Sequence, residues 1–255
     1  MLLIRNLAYW LVMCTVTVLF ALTFFIFAWL PAPKRHLIGI GYAKTLVSLL
    51  ESLVGLKYTV VGTENIPAEP AIICCKHQSA WETLALQIAF PAQVFVCKRE
   101  LFWIPIFGWG LRLMSPIAID RKDRAKATRQ ILEQGTQRKR QGFWISIFPE
   151  GTRVAPGVRG RYKLGAARMA KTLEMDIVPV AVNSGEFWPR NGFIKHPGRI
   201  TMVIGKPIPH TLGGAEVLMH KCEEWIENRQ SEISGVGPCA HPDDKARAAN
   251  RHEPH

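Results

Sequence analysis

Hydrophobic and polar positions divide this chain into three zones. Residues 7–30 carry no charge and include Trp10, Phe20, Phe24, Phe25, Phe27 and Trp29. At ~1.5 Å per helical residue such a stretch is long enough to cross a bilayer core of ~30 Å. It is longer than the apolar part of a cleaved signal peptide and no A-x-A site follows it, so it reads as a retained anchor. Residues 37–56 repeat a helical pattern, with Leu46, Leu49, Leu50, Leu53 and Val54 on one face. Such a helix suits a lipid interface or the surface of a domain, and the pattern is compatible with either a true span or a hairpin entering one leaflet.

Beyond Gly55 the period changes. Apolar runs at residues 58–61, 71–75, 94–97, 117–119, 144–148, 177–182 and 200–204 are bounded by Gly and Pro and predict strands. Helical stretches are expected at 81–90, 124–140, 163–173 and 215–229. This alternation predicts an α/β fold, a central, mostly parallel sheet flanked by helices, with an N-terminal membrane-anchoring helical segment. The expected organisation is anchoring helices over residues 1–55, an α/β domain over 56–232, and a disordered tail over 233–255, where Pro, Ala and charge dominate.

Charge narrows the partners. The formal net charge is +12, which favours anionic surfaces or substrates without choosing among them. Lys34, Arg35 and Lys44 follow the first apolar stretch while Arg5 alone precedes it, an asymmetry that places the following domain on the cytoplasmic side. A basic cluster from Lys122 to Arg140 has the composition of a solvated helix face or of one attracted to anionic headgroups. Six cysteines occur without a C-x-x-C pair, and adjacent Cys74 and Cys75 in an apolar run read as reduced, buried side chains. No H-E-x-x-H or paired C-x-x-C motif suggests a metal site.

Two segments carry candidate chemistry. The first, His77-Gln78-Ser79-Ala80-Trp81-Glu82, follows the buried run ending at Cys75. On one helix, His77 and Glu82 would point ~140° apart, since each residue turns ~100°. They meet only if His77 lies in a loop and Glu82 in the first turn. Ser79 and Glu82 match an S-x-x-E capping box, which supplies that start and by itself also explains Glu82. The second segment, Phe148-Pro149-Glu150-Gly151-Thr152-Arg153, follows the strongest apolar run of the domain. It offers free N–H groups, the Thr152 hydroxyl and a guanidinium able to grip phosphate with two parallel hydrogen bonds. Gly151 allows close approach of the backbone. A plain turn bearing a surface arginine has the same composition.

Together, in this order and about seventy residues apart, the two segments resemble the glycerolipid acyltransferase family and its bacterial 1-acyl-sn-glycerol-3-phosphate acyltransferases. The family's HX4D block corresponds to His77 through Glu82, with Glu in place of the usual Asp. A second block resembles Lys98-Arg99-Glu100-Leu101 through Pro105-Ile106-Phe107-Gly108 and on to Ile119-Asp120-Arg121. The FPEGTR block is intact at residues 148–153, and residues 177–183 resemble the proline-containing fourth block. Arg161-Tyr162-Lys163-Leu164-Gly165-Ala166 is similar to the F-K-x-G-A segment between them.

The resemblance implies transfer of a fatty acyl group from a thioester to the sn-2 hydroxyl of lysophosphatidic acid. In that reading His77 is the general base and Glu82 fixes its tautomer. Arg153 grips the acceptor phosphate on a loop shaped by Glu150, Gly151 and Thr152, with Arg121 and Lys98 adding positive charge. Residues 101–113 are expected either at the acyl chain or on core and membrane-facing surface. Ser79 as nucleophile lacks a G-x-S-x-G elbow. The expected partners are lysophosphatidic acid, acyl-CoA or acyl carrier protein, and an anionic membrane surface, with no nucleic acid and no resident cofactor. The expected place is the inner (cytoplasmic) membrane, with the catalytic domain in the cytosol. Competing readings are an acyltransferase for glycerol 3-phosphate or an amine-bearing lyso-lipid, and a non-catalytic basic membrane-binding protein.

Overall fold

A computed structural model of the chain describes residues 1–119 and 124–235. The expectations for Arg121 and for the tail beyond residue 235 lie outside these. Helices α1 (Leu2–Ile26) and α2 (Ala32–Leu49) lead, α2 widening into a π-type turn over Leu50–Val54. Gly55, at φ +82°, ends it in the left-handed conformation and starts the first strand.

All seven expected strands form: β1 (Leu56–Val61), β2 (Ile72–Cys75), β3 (Gln93–Lys98), β4 (Ile117–Ile119), β5 (Trp144–Ile147), β6 (Ile177–Val182) and β7 (Gly198–Ile204). Their order across the sheet is β1-β7-β6-β2-β5-β3-β4. Strands β6, β2, β5, β3 and β4 are parallel, while β7 pairs antiparallel with β6 and parallel with β1. Helices α3 (Trp81–Ala89), α5 (Arg124–Arg140), α6 (Gly165–Leu173) and α7 (Ala215–Ile233) appear where the periodicity predicts them. A short helix, α4 (Phe107–Leu113), was not expected in the Gly- and Pro-broken stretch.

Burial follows the two-residue period of a pleated strand. Ile72 and Cys74 of β2 face α6 and α7, joining Ala166, Ala170, Leu218 and Cys222. Ile73 and Cys75 face the opposite layer, with Trp81 and Leu86 of α3 and with Tyr9, Leu50 and Val54 of the N-terminal region. A parallel sheet covered on both faces needs such continuously apolar strands. Cys74, Cys75, Cys97 and Cys222 are free and buried, whereas Cys14 is free and exposed on α1.

The N-terminal helix is therefore built into the core rather than appended to it. Asn6 accepts the Lys195 N–H at 2.8 Å and donates to the Lys195 carbonyl at 3.0 Å. The Lys195 ammonium lies 3.7 Å from the Trp10 ring centre, with Trp188 at 4.7 Å and Tyr9 at 5.0 Å. Burial lowers this lysine to about 8, while the three ring faces and the Phe193 carbonyl, which accepts from Nζ at 3.2 Å, favour its charged form. Trp10 also donates to the Phe193 carbonyl at 2.9 Å. At its far end α1 meets α4, where Phe25 and Trp109 lie 6.3 Å apart edge to face. The outer side of α1 exposes Leu3, Leu7, Leu11, Leu22 and Phe25, and Trp103, Ile104 and Trp109 extend the exposed apolar surface beyond its end. Exposure of Trp103 at 76% puts part of the 101–113 stretch on surface rather than in core.

Replacing Asn6 by leucine keeps the branched outline of the side chain but strands the Lys195 N–H and carbonyl. The expected cost is about 1–3 kcal/mol, seen as a lower unfolding midpoint of the detergent-solubilised protein; an unchanged midpoint would show that α1 is not held by this clamp.

Candidate active site at the carboxyl edge of the sheet

Four parallel neighbours, β6, β2, β5 and β3, end at one edge of the sheet. Ligand sites of open α/β sheets form at the carboxyl ends of their strands. Here those ends deliver Ser184, His77, the 148–153 loop and Lys98 in spatial order.

The loop after β2 and the loop after β5 are joined through the His77 backbone. The His77 N–H donates to Glu150 Oε2 at 2.9 Å, and the His77 carbonyl accepts the Val154 N–H at 2.8 Å. The His77 ring stacks on Phe148 with centres 3.8 Å apart and planes 16° apart. The two segments, remote in sequence, thus meet in one place, with the imidazole plane fixed.

Glu82 is fully buried. Its Oε1 accepts the Gln78 N–H at 2.7 Å, the Ser79 N–H at 2.8 Å and the Ser184 hydroxyl at 2.7 Å. Ser79 Oγ accepts the Trp81 N–H at 2.9 Å and donates to Glu82 Oε2 at 3.2 Å. Half of the S-x-x-E box is kept: the Glu82 carboxylate accepts the Ser79 N–H, but Ser79 Oγ accepts the Trp81 N–H rather than that of Glu82, and the helix starts one residue later, with Ala80 as its N-cap. The kept half also explains how Glu replaces Asp: the longer side chain folds back onto the loop amides. Oε2, which also accepts the Ser79 N–H at 3.1 Å, faces His77 Nδ1 at 3.9 Å. That is beyond hydrogen-bond length, and closing it by ~1 Å is the kind of tightening that substrate binding brings to resting sites. Burial pushes the Glu82 carboxyl above the usual range, while Ser184 and the loop amides pull it back. A pocket of donors around both oxygens is built for the ionised form.

Glu150, expected to help shape the Arg153 loop, is held from the inside of the protein. It is buried, and its Oε1 lies 2.9 Å from the Lys76 ammonium. Lys76, also buried, pairs with Glu227 of α7 at 2.6 Å, and Tyr162 donates to the same Glu227 oxygen at 2.8 Å. Burial raises Glu150 to about 6 against the pull of Lys76. Burial also opposes the charge on Lys76, but the two carboxylates outweigh it and raise its pKa. Glu150 therefore holds the His77 backbone and faces inward, toward Lys76.

Gly151 sits at φ +71°, and a Cβ there would come 2.6 Å from Lys163 Nζ. The positive φ of the turn favours glycine, while the flexible end of Lys163 could move aside for a side chain. Thr152 is exposed, Arg153 is half-buried, and Lys98 is exposed at the end of β3. The structure brings His77, Glu82, Glu150, Gly151, Thr152 and Arg153 together, with Lys98 on the same edge. Lys76, Ser184 and Glu227 were not singled out from sequence. Lys76 had a signal, a charge closing an apolar strand, whereas Ser184 and Glu227 carry no local mark.

A histidine backed by a buried carboxylate, beside a loop bearing an arginine, equips a parallel-sheet edge for proton transfer on an anionic substrate. A family model described as Acyltransferase matches residues 57–183. The chain is 38% identical over 220 residues to a 1-acyl-sn-glycerol-3-phosphate acyltransferase of Pseudomonas aeruginosa, covering 84% of this chain and 85% of that protein. A 1-acyl-sn-glycerol-3-phosphate acyltransferase of Saccharomyces cerevisiae is 30% identical over 156 residues, 59% of this chain and 51% of that protein. The crystal structure of the LPA acyltransferase PlsC from Thermotoga maritima shares the fold, with a TM-score of 0.78, 21% identity, and coverage of 92% of this chain and 97% of that one. The chain belongs to the 1-acyl-sn-glycerol-3-phosphate acyltransferase family.

Substituting Ser184 by alanine removes one donor to Glu82 and leaves His77 in place. The expected result is a several-fold fall in kcat with a small loss of stability, about 1 kcal/mol, measured by steady-state kinetics beside thermal unfolding; unaltered kcat would separate Ser184 from the His77–Glu82 pair.

Proposed function

We propose that this protein transfers a fatty acyl group from an acyl thioester, carried by coenzyme A or acyl carrier protein, to the sn-2 hydroxyl of lysophosphatidic acid. The product is phosphatidic acid. The observation that supports this most is the backbone junction at His77, which sets an imidazole–carboxylate pair against the Arg153 loop.

His77 is the general base. With Nδ1–H directed to Glu82, Nε2 accepts the proton of the acceptor hydroxyl as its oxygen bonds to the thioester carbonyl carbon. The negative charge moves to the carbonyl oxygen. When the tetrahedral intermediate collapses, the C–S bond breaks and the imidazolium returns its proton to the leaving thiolate. Glu82 stabilises the imidazolium in between, as a carboxylate does in a serine–histidine–aspartate triad. The acceptor hydroxyl takes the nucleophile's place, so no acyl-enzyme forms. Arg153 grips the acceptor phosphate, with Lys98 adding positive charge at the same edge and Arg121 assigned likewise from the sequence pattern.

The apolar outer side of α1 and the Trp103–Trp109 surface rest in one leaflet of a bilayer. α1 touches the α/β domain near both ends, at Lys195 and at Trp109, which supports a helix lying along the membrane face rather than crossing it. A net charge of +12 draws that face to anionic lipid. The site of action is the cytoplasmic membrane, with the sheet edge open to the cytosolic leaflet.

In an assay of labelled acyl-CoA with lysophosphatidic acid, His77→Ala is expected to lower turnover by at least ~10²-fold while the unfolding midpoint stays near wild type. Retained turnover would end the base assignment. Arg153→Ala is expected to raise KM for lysophosphatidic acid ~10-fold or more and to leave the donor KM near wild type; equal rises in both would remove Arg153 from the acceptor phosphate.

A further inference from the structure

The loop between β6 and β7 brings a second arginine to the Arg153 loop. Arg190 Nη1 donates to the Arg153 carbonyl at 3.2 Å. Among the described residues no carboxylate lies within ion-pair distance of either arginine. The Arg190 guanidinium thus lies exposed against the backbone of the Arg153 loop, with no carboxylate to neutralise it.

The position of Arg190 is built. It occupies the second place of a tight turn closed by the Gly192 N–H donating to the Pro189 carbonyl at 2.9 Å, with Asn191 at φ +58°. Both stems of the loop are fastened. On one side Ser184 holds Glu82, and buried Trp188 packs edge to face on Tyr9. On the other, Lys195 is clamped by Asn6 and set among the Tyr9, Trp10 and Trp188 rings. The His196 N–H donates to the Phe187 carbonyl at 2.8 Å and ties the stems together. One segment thus runs from the carboxylate behind His77, past Arg153, to the membrane-facing helix.

We infer that Arg190 is a second guanidinium for the acceptor phosphate and the residue that selects a phosphate monoester over a phosphodiester. This rests on the acyltransferase reading above. A monoester near neutral pH carries ~1.5–2 negative charges and three terminal oxygens. A bidentate arginine satisfies two oxygens and one charge. The third oxygen and the remaining charge exist only on a monoester; in a diester that oxygen is esterified. Arg190, hydrogen-bonded to the Arg153 backbone from a loop fastened at both stems, meets that remainder.

The test is equilibrium binding of two lipids in the same detergent micelles: 2-deoxy-lysophosphatidic acid, a monoester without the acceptor hydroxyl, and lysophosphatidylglycerol, a diester. Wild type, Arg190→Ala, Arg190→Lys and Arg153→Ala are compared, with unfolding midpoints measured alongside. Arg190→Ala is expected to weaken monoester binding ~10-fold or more and diester binding less than ~2-fold, with Arg190→Lys intermediate. Arg153→Ala weakens both. Equal losses for the two lipids in Arg190→Ala, or no loss for the monoester, would overturn the inference, and so would failure of wild type to prefer the monoester. Wild-type turnover of lysophosphatidic acid, measured separately, reads the acyltransferase proposal: its absence alongside Arg190-dependent monoester binding would defeat acyl transfer alone.

Discussion

The site depends on one short piece of backbone. The peptide groups of His77 are shared between two loops, its N–H given to Glu150 and its carbonyl to Val154. Neither loop could reach the other if β2 and β5 were not adjacent parallel strands, about 4.8 Å apart. Beneath this junction lies a buried ion cluster, Glu150–Lys76–Glu227. Such clusters rarely add net stability, because desolvating the charges costs about as much as pairing returns. What this one supplies is geometry. It fixes the carboxylate that holds the His77 N–H, and ties that carboxylate to α7, more than seventy residues further along the chain.

The same economy of parts links chemistry to membrane. Glu82 is held by Ser184, Ser184 begins the loop that carries Arg190, and that loop ends at Lys195 in the grip of α1. The helix whose outer side is apolar is therefore also a wall of the structure behind the site. A lipid acceptor has its phosphate at the headgroup level and its chain below it. In the proposed placement, with the sheet edge at that level, His77 and the arginines would stand at the depth of the reacting hydroxyl.

Much of this was legible in the sequence. The central strands announced themselves because a sheet covered on both faces demands uninterrupted apolar runs, as in Ile72-Ile73-Cys74-Cys75. The Ser79–Glu82 spacing predicted the fold-back that lets His77 and Glu82 approach, since capping is a local interaction encoded within four residues. The FPEGTR segment pointed to Arg153 for the same reason. What stayed hidden was long-range. Lys76 pairs with Glu227 across 151 positions and Asn6 clamps Lys195 across 189, and no window of sequence shows such partners. Glu150 was expected to shape the Arg153 loop, and nothing local showed that buried Lys76 is what holds it. Residues 7–30 read as an anchor by composition alone, while their packing against Trp188 and Phe193 depends on side chains far away.

The most direct measurement is a structure of the protein in lipid or detergent with lysophosphatidic acid and a non-transferable thioether analogue of the acyl donor. The account predicts the phosphate on the Arg153 loop and the sn-2 hydroxyl oxygen ~3 Å from His77 Nε2, with the Nδ1–Glu82 separation shortened from 3.9 Å to hydrogen-bond length. A phosphate bound away from the Arg153 loop, or a hydroxyl outside the reach of His77, would contradict it.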